Sequence, residues 1–260
     1  MVEQLLRRDR TVAAIALLVL TALAWASLLH MRSGMASSAG ADMSMPGMGM
    51  SGMQAWSALE LVMLFSMWAT MMVAMMLPSA APMILLVASI QRRRQERESP
   101  APSTAVFAAG YLVVWTAFSA VAATVQYGLH RAALLSPTMA STTPILGGLI
   151  LVTAGVYQLL PFKSTCLTHC RSPMHFLQHE WREGGAGALL MGLRHGFFCL
   201  GCCWALMALL FVAGVMNLLW VAVIAGLVLF EKVARFGPWI GHLAGLMLIG
   251  WGVWMLAGVH

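Results

Sequence analysis

One histidine and three cysteines recur along a single apolar stretch of the chain. They are His195, Cys199, Cys202 and Cys203, with Met191 and Met207 one turn beyond at either end. On a helix, residues three and four positions apart share a face, so His195, Cys199 and one of the two later cysteines line one stripe. Imidazole, thiolate and thioether are ligands for a soft metal, especially Cu(I). The spacing predicts a metal or redox site, although a buried cysteine also packs as a small hydrophobe.

A second group of thiols and imidazoles lies in the polar segment 161–185. Cys166 and Cys170 are four residues apart, with His169 between them. A cytoplasmic location disfavours a stable disulfide, and the spacing suits a metal without matching the usual zinc-finger pattern. His175 and His179 follow, again four residues apart, and fit an interfacial amphipathic helix with no ligand role.

Methionine is unusually frequent, with 22 residues in a chain of 260. Met63, Met67, Met71 and Met75 recur every four residues, with Met72 and Met76 alongside. Thioethers bind Cu(I) without losing a proton, whereas methionine in a helical core also serves as a gap filler. Seven more methionines lie in segment 31–53, which has no helical or strand period. This segment predicts a flexible loop that captures a soft metal.

The composition limits the classes of fold that can hold these residues. The chain is 60% apolar and 9% charged, with a mean hydropathy of +0.83. A soluble domain has about 25% charged residues, so a soluble enzyme, a disordered protein and a nucleic-acid module are excluded. The composition predicts an all-α, polytopic helical membrane protein. Its net charge of +6 is then explained by membrane topology and needs no nucleic-acid partner.

Seven apolar segments predict about seven transmembrane helices. They are 11–30, 56–90, 104–127, 144–160, 186–210, 217–230 and 239–259, and the sixth is short unless part of 211–216 joins it. The second is too long for one straight span and contains Pro78 and Pro82, so it predicts a kink. With the N-terminus in and the C-terminus out, only Arg32 and Arg131 of fifteen basic residues lie outside, as the positive-inside rule requires.

This map divides the chain into three parts. Residues 1–30 form an N-terminal transmembrane helix that resembles a signal peptide, and 31–55 form the extracytoplasmic Met-rich loop. Residues 56–260 form a six-helix membrane metal-binding domain with a cytoplasmic Cys/His loop at 161–185. Segments 148–159 and 245–256 are alike, and Trp68-Ala69 resembles Trp204-Ala205. These matches predict two inverted three-helix repeats after an extra first helix. The alternative is that Gly/Leu-rich spans resemble each other by chance.

Several charged or polar residues lie within or near the predicted spans. Glu60 is near the outer end of the second span, whereas Glu231 and Lys232 are near the inner end of the sixth. We expect Glu231 and Lys232 to pair with each other or with Arg235, or to snorkel towards the interface. His242 begins the seventh span and is expected to be structural.

Four sequence elements together resemble a known family. They are 68–78 (WATMMVAMMLP), 157–173 with CLTHCRSP at its end, 192–207 containing GCCW, and the pair Glu231-Lys232. The chain is similar, over roughly 56–259, to the bacterial family of predicted metal-binding integral membrane proteins of unknown function, whose members are often labelled copper chaperone-like. The resemblance implies functional roles for Cys166, Cys170, Cys199, Cys202 and Cys203, and more weakly for Met71, Met72, Met75 and Met76.

The leading hypothesis is a protein of the bacterial inner membrane that binds Cu(I) and traffics it across or within the bilayer. Its expected partners are the bilayer and a cytoplasmic or membrane metal-accepting protein, and silver, zinc and iron remain alternative ions. The chain has no P-loop, Rossmann or hydrolase motif, so an enzyme is the less favoured interpretation. The alternatives are a membrane thiol–disulfide oxidoreductase that uses cysteine pairs, and a metal-free assembly subunit.

Overall fold

The computed structural model describes residues 2–42, 58–95, 103–135, 141 and 143–258, and these residues are mainly helical. The helices are α1 (Val2–Asp42), α2 (Ala58–Gln95), α3 (Thr104–Arg131), α4 (Pro144–Leu159), α5 (Pro161–Arg171), α6 (Pro173–Glu180), α7 (Gly184–Ala208), α8 (Leu210–Ala213), α9 (Leu218–Val233) and α10 (Gly237–Ala257). The all-α prediction is confirmed: within the described ranges, the one β-type pairing is an isolated bridge between Leu135 and Ser141.

Five of these helical stretches are long and apolar enough to cross a membrane. They are Arg10–Gly34, Leu59–Arg94, Thr104–Arg131, Gly184–Ala213 and Gly237–Ala257. Helices α4 and α5 meet at 64° and make a sixth if the bent pair counts as one span. Helix α9 is apolar but has 16 residues, fewer than the roughly 20 needed for a perpendicular crossing. The protein is therefore a helical membrane protein with five to six candidate spans.

The predicted boundaries differ from the observed ones in three places. Helix α1 continues to Asp42, so the first part of the predicted Met-rich loop is helical, consistent with its Ala and Met residues. The rest of that loop, 43–55, lies outside the described residues. Helix α2 runs through Pro78 and Pro82, as predicted, but ends at Gln95, five residues beyond the predicted end at Ile90. The turn at 211–216 does not lengthen the sixth span, because α8 extends the α7 stretch and α9 begins at Leu218.

The predicted cytoplasmic Cys/His loop is helical for most of its length. Helices α5 and α6 each have a proline in the first turn, where the missing N–H costs nothing. Both are amphipathic, and they bury Lys163, Cys166 and Leu167 on α5 and Phe176 and Leu177 on α6. Helix α5 packs against α7, so this segment covers the membrane helices and does not extend from them as a loop.

Helices α3 and α7 run in parallel at very short distance because glycines line their contact. A Cβ added at Gly192 would collide with the backbone oxygen of Phe107, and one at Gly196 would lie 2.8 Å from Val114. The two backbones can approach this closely only without side chains at these positions. This close packing positions Tyr111 of α3 beside the cysteines of α7.

Helices α4 and α10 form an antiparallel pair with reciprocal glycine contacts. A Cβ on Gly155 would lie 2.6 Å from the backbone oxygen of Gly245, and one on Gly245 would lie 3.0 Å from that of Gly155. Likewise, a Cβ on Gly148 would lie 3.0 Å from the backbone oxygen of Gly252, and one on Gly252 would lie 2.8 Å from that of Gly148. The two segments with similar sequences therefore lie against each other in opposite directions.

Candidate metal site

Cys199 lies at the centre of a buried polar cluster where α2, α3, α7 and α9 meet. Its Sγ is 2.8 Å from Lys232 Nζ and 3.1 Å from the Tyr111 hydroxyl. The Tyr111 hydroxyl also donates to the backbone oxygen of Met76 at 3.0 Å, and Lys232 donates to Ser79 Oγ at 3.0 Å. Four helices thus contribute polar or sulfur-bearing groups around one thiol.

The pairing predicted for the charges of α9 is wrong. Glu231 and Lys232 are 1% and 7% exposed, so neither snorkels, and within the described structure they do not pair with each other or with Arg235. The Glu231 carboxylate accepts from Lys163 at 2.7 Å and from Gln158 at 2.9 Å. The Lys163 ammonium also contacts Gln158 Oε1. Adjacent helical residues point in different directions, so each reaches a different neighbouring helix.

Lys232 instead faces the sulfur of Cys199. A buried ammonium is strongly unfavourable unless an anion or a set of hydrogen-bond acceptors compensates its charge. The carboxylate of Glu231 is occupied by Lys163, whereas Cys199 lies directly against Lys232. An ammonium beside a thiol favours the thiolate, which is the form that binds metals and reacts as a nucleophile. The geometry therefore suits a Cys199 thiolate paired with a Lys232 ammonium.

Cys202 and Cys203 lie one turn further along α7, as the sequence predicts. Both thiols donate to the backbone oxygen of Cys199, at 3.0 and 2.9 Å. Cys203 Sγ is also 3.9 Å from the thioether sulfur of Met76 on α2. This contact joins a predicted cysteine ligand to a predicted methionine ligand across two helices.

The structure merges the two cysteine groups that the sequence treats as separate. The Cys170 thiol of α5 lies near Cys199 and Cys202, close enough for the thiols to influence one another electrostatically. Cys166 lies one turn earlier, and a Cβ added at Gly201 would be 2.9 Å from its sulfur. Cys170 therefore joins the cluster, whereas Cys166 packs against the backbone of α7.

The histidines predicted for the site have aromatic surroundings. His195 is buried, its ring is 5.7 Å from Tyr111 and 5.5 Å from Phe176, and its Nδ1 has no hydrogen-bond partner among the described residues. His169 stacks on Phe198 at 4.3 Å, and its Nδ1 meets the backbone oxygen of Thr165. His195 thus retains an unpaired nitrogen beside the cluster, whereas His169 is held against the surface of α7.

Among the methionines of α2, burial separates the members of the predicted stripe. Met63 is 58% exposed, whereas the later members are buried. These buried methionines are Met67, Met71, Met72, Met75 and Met76. Met76 is the member whose sulfur contacts a thiol, and core packing explains the burial of the others equally well.

Sulfur dominates the donor set of the cluster. In the described part of the chain, no three His, Cys, Asp or Glu side chains are grouped so that together they could hold a metal ion. The contact between Cys203 and Met76 adds a donor type outside that set. The residues therefore fit a soft ion held by thiolate and thioether more closely than a tetrahedral zinc site.

The sequence analysis missed two groups at the centre of the cluster, Tyr111 beside Cys199 and Ser79 beside Lys232. Neither belongs to a motif, although both are polar groups buried among apolar helices. The available signal was Lys232 itself. A lysine in a strongly apolar helix requires a buried partner, and a thiol is a suitable one.

The fold and the buried thiol cluster define a helical membrane protein with a soft-donor site. A family model described as PpoB2, copper chaperone, matches residues 65–255, and the chain belongs to this family. The resemblance found in the sequence is thereby confirmed. No curated protein and no solved structure matches the chain.

Proposed function

We propose that this protein binds Cu(I) at the buried cluster and passes it to a partner protein. The observation that carries the proposal is the approach of Cys203 Sγ to Met76 Sδ at 3.9 Å, while the same thiol lies 2.9 Å from the backbone oxygen of Cys199. Cu(I) prefers sulfur donors, and these come from two different helices of the membrane domain. The copper-chaperone description of the family supports the choice of metal.

In this proposal, Met76 and Cys203 are two ligands of the ion and Cys199 is the third. Cys170 and Cys202 lie near Cys199 and would provide thiols to which the ion can move. His195, with its unpaired Nδ1, stands beside them as a further donor. Closely spaced, exchangeable sulfur ligands suit a protein that must release its metal as well as hold it.

Lys232 makes the proposed site electrically neutral. The charges of Cu(I) and the Lys232 ammonium would balance those of two thiolates, Cys199 and Cys203. Neutrality matters here because an uncompensated charge in a buried membrane site is costly. Ser79 completes the polar contacts of the lysine. Lys232 would therefore set the charge of the metal that the site accepts.

The buried methionines of α2 would give the ion a path. We infer seven spans in a bacterial inner membrane, with the N-terminus in, the C-terminus out and two inverted repeats after α1. The repeat is supported by the reciprocal contact of Gly155 with Gly245. The buried part of the path starts at Met67 and ends at Met76, and the same ligands would serve movement in either direction.

The test is Cu(I) binding by protein purified in detergent under reducing conditions. Copper content is measured by elemental analysis, and affinity by competition with a colorimetric Cu(I) chelator. Replacing Met76 by Leu should weaken binding at least tenfold, whereas Met63→Leu, an exposed position on the same helix, should leave it unchanged. A Cys199→Ser/Cys203→Ser variant should lose the ion. Equal copper content in that variant and the wild type would refute the proposal.

The thiol–disulfide oxidoreductase remains a second candidate because Lys232 contacts Cys199 beside two further thiols. A cation-stabilised thiolate next to a second thiol is also the arrangement needed for thiol–disulfide exchange. This candidate gives Met76 no role. Quinone-dependent oxidation of two thiols per chain, unaffected by Met76→Leu, would favour it over copper binding.

A further inference from the structure

We propose that His175 and His179 of α6 form a second metal site, exposed to solvent, that takes a borderline ion such as Zn(II) or Cu(II). Two protein ligands would hold the ion and leave its other coordination positions open. The role of this site in metal exchange rests on the proposed function, whereas the binding itself does not.

The geometry of α6 brings the two imidazoles together on its outer face. They are four residues apart, their ring centroids are 4.2 Å apart, and both residues are exposed. Two histidines at this spacing on one helix face are an established way of binding zinc. The expectation from the sequence, an interfacial helix without ligands, predicts the helix but gives no reason for the stacked imidazoles.

A backbone contact fixes the ring of His179. Its Nδ1 lies 2.9 Å from the backbone oxygen of His175. A nitrogen facing a carbonyl oxygen carries the proton, so the lone pair remains on Nε2, away from the helix. This arrangement, in which one ring nitrogen donates to a carbonyl and the other is free, is typical of metal-binding histidines.

The position of α6 links this pair to the buried cluster. Phe176, which lies between the two histidines in the chain, is buried, and its ring is 5.5 Å from that of His195. On the other side, His169 of α5 is 6.3 Å from His175, and Cys170 follows it in the chain. One short helix therefore carries exposed imidazoles on one face and contacts the surroundings of the thiols with its other face.

A site with only two protein ligands suits the transfer of its metal ion to another protein. A tetrahedral ion bound by two histidines keeps two positions for water or for side chains of a partner protein. A ligand from the partner can then bind before a histidine leaves, so the ion is never free. An exposed imidazole pair thus complements buried sulfurs, which hold a soft ion out of reach of other proteins.

The experiment measures Zn(II) binding to the full chain in detergent by isothermal titration calorimetry. A His175→Gln/His179→Gln variant should lose one equivalent of zinc or bind it at least tenfold more weakly. His242→Gln is the matched control, because His242 is also exposed and its Nδ1 contacts its own helix at Pro238 O, 2.6 Å away. The thermal unfolding midpoint of each variant reports on folding.

The outcomes separate this inference from the proposed function. Loss of zinc with full retention of Cu(I) in His175→Gln/His179→Gln supports two distinct sites. Unchanged zinc binding in that variant, or equal losses in His242→Gln, overturns the inference and leaves copper binding untouched. Zinc binding that depends on the two histidines in a protein that takes no Cu(I) supports the inference and refutes only the proposed function.

Discussion

Lys232 Nζ lies 2.8 Å from Cys199 Sγ, whereas the neighbouring Glu231 contacts Lys163 at 2.7 Å. Two adjacent residues of opposite charge on α9 therefore serve different partners in the buried interior. One makes an ion pair between helices, and the other brings a positive charge to a thiol. Since burial of either charge alone is costly, each contact must be maintained for the helices to pack as they do.

Removing the charge of Lys232 should weaken Cu(I) binding. A Lys232→Met variant leaves a bound complex of one ion and two thiolates with a net negative charge in a buried site, so we expect at least a tenfold rise in the Kd for Cu(I). Lys232→Arg keeps the charge and should recover part of the affinity. Chelator competition measures both values. A Lys232→Met protein that binds as tightly as the wild type would contradict the neutral-site argument.

Neutralising Glu231 should destabilise the protein without any direct effect on the thiols. In Glu231→Gln, the buried ammonium of Lys163 loses its anion, and breaking a buried pair in this way costs about 3–5 kcal/mol. The loss is measured as a fall in the free energy of unfolding, and removal of both charges in Lys163→Met/Glu231→Leu should restore much of it.

The exposed pair between Arg94 and Glu183 provides the control for that loss. Its side chains are 33% and 56% exposed, and such surface pairs contribute about 1 kcal/mol or less. Glu183→Gln should therefore change the unfolding free energy little. Equal losses in Glu231→Gln and Glu183→Gln would mean that the Lys163 pair is not buried in the folded membrane protein.

The contact between α3 and α7 should tolerate no side chain at Gly192. An alanine Cβ there would collide with the backbone oxygen of Phe107, so the two helices must separate. Overpacking of this kind costs about 1–3 kcal/mol, and it should also move Tyr111 away from Cys199 and weaken Cu(I) binding.

Gly226 on α9 is the matched position, because no atom outside its chain neighbours and the nearby backbone of its own helix lies within 4 Å of a Cβ added there, among the described residues. Gly226→Ala should leave copper binding unchanged and stabilise the helix by up to about 1 kcal/mol. If Gly192→Ala unfolds at the same denaturing temperature as Gly226→Ala, α3 and α7 are not in close contact in the folded protein.

The arrangement of the candidate ligands along α7 can be predicted from sequence because it depends only on spacing within one helix. His195, Cys199, Cys202 and Cys203 share an apolar stretch, so helical spacing alone places three of them along one stripe. The all-α class follows equally directly from composition. Neither conclusion needs knowledge of which helices are neighbours.

What the sequence does not predict depends on contacts between helices. The approach of Cys170 to Cys199 follows from the 64° bend between α4 and α5, which folds α5 back onto α7. Polar composition alone suggests a loop for this segment, because it does not reveal which side chains α7 will cover. The separate partners of Glu231 and Lys232 could not be predicted for the same reason. The sequence shows that the two residues are adjacent, but it does not show which helices they face.

Cys170 and Cys166 should respond differently to the same substitution, although the family resemblance implies roles for both. Cys170 lies near Cys199 and Cys202, so Cys170→Ser should weaken Cu(I) binding or slow its release to a chelator, by about threefold or more. Cys166 lies against Gly201, outside those thiol contacts, so Cys166→Ser should leave both quantities within about twofold. Chelator competition gives the affinity, and stopped-flow absorbance gives the release rate. The reverse order, with Cys166→Ser the more damaging change, would mean that the ion is held on the α5 side of Gly201 and that the cluster around Cys199 serves a different purpose.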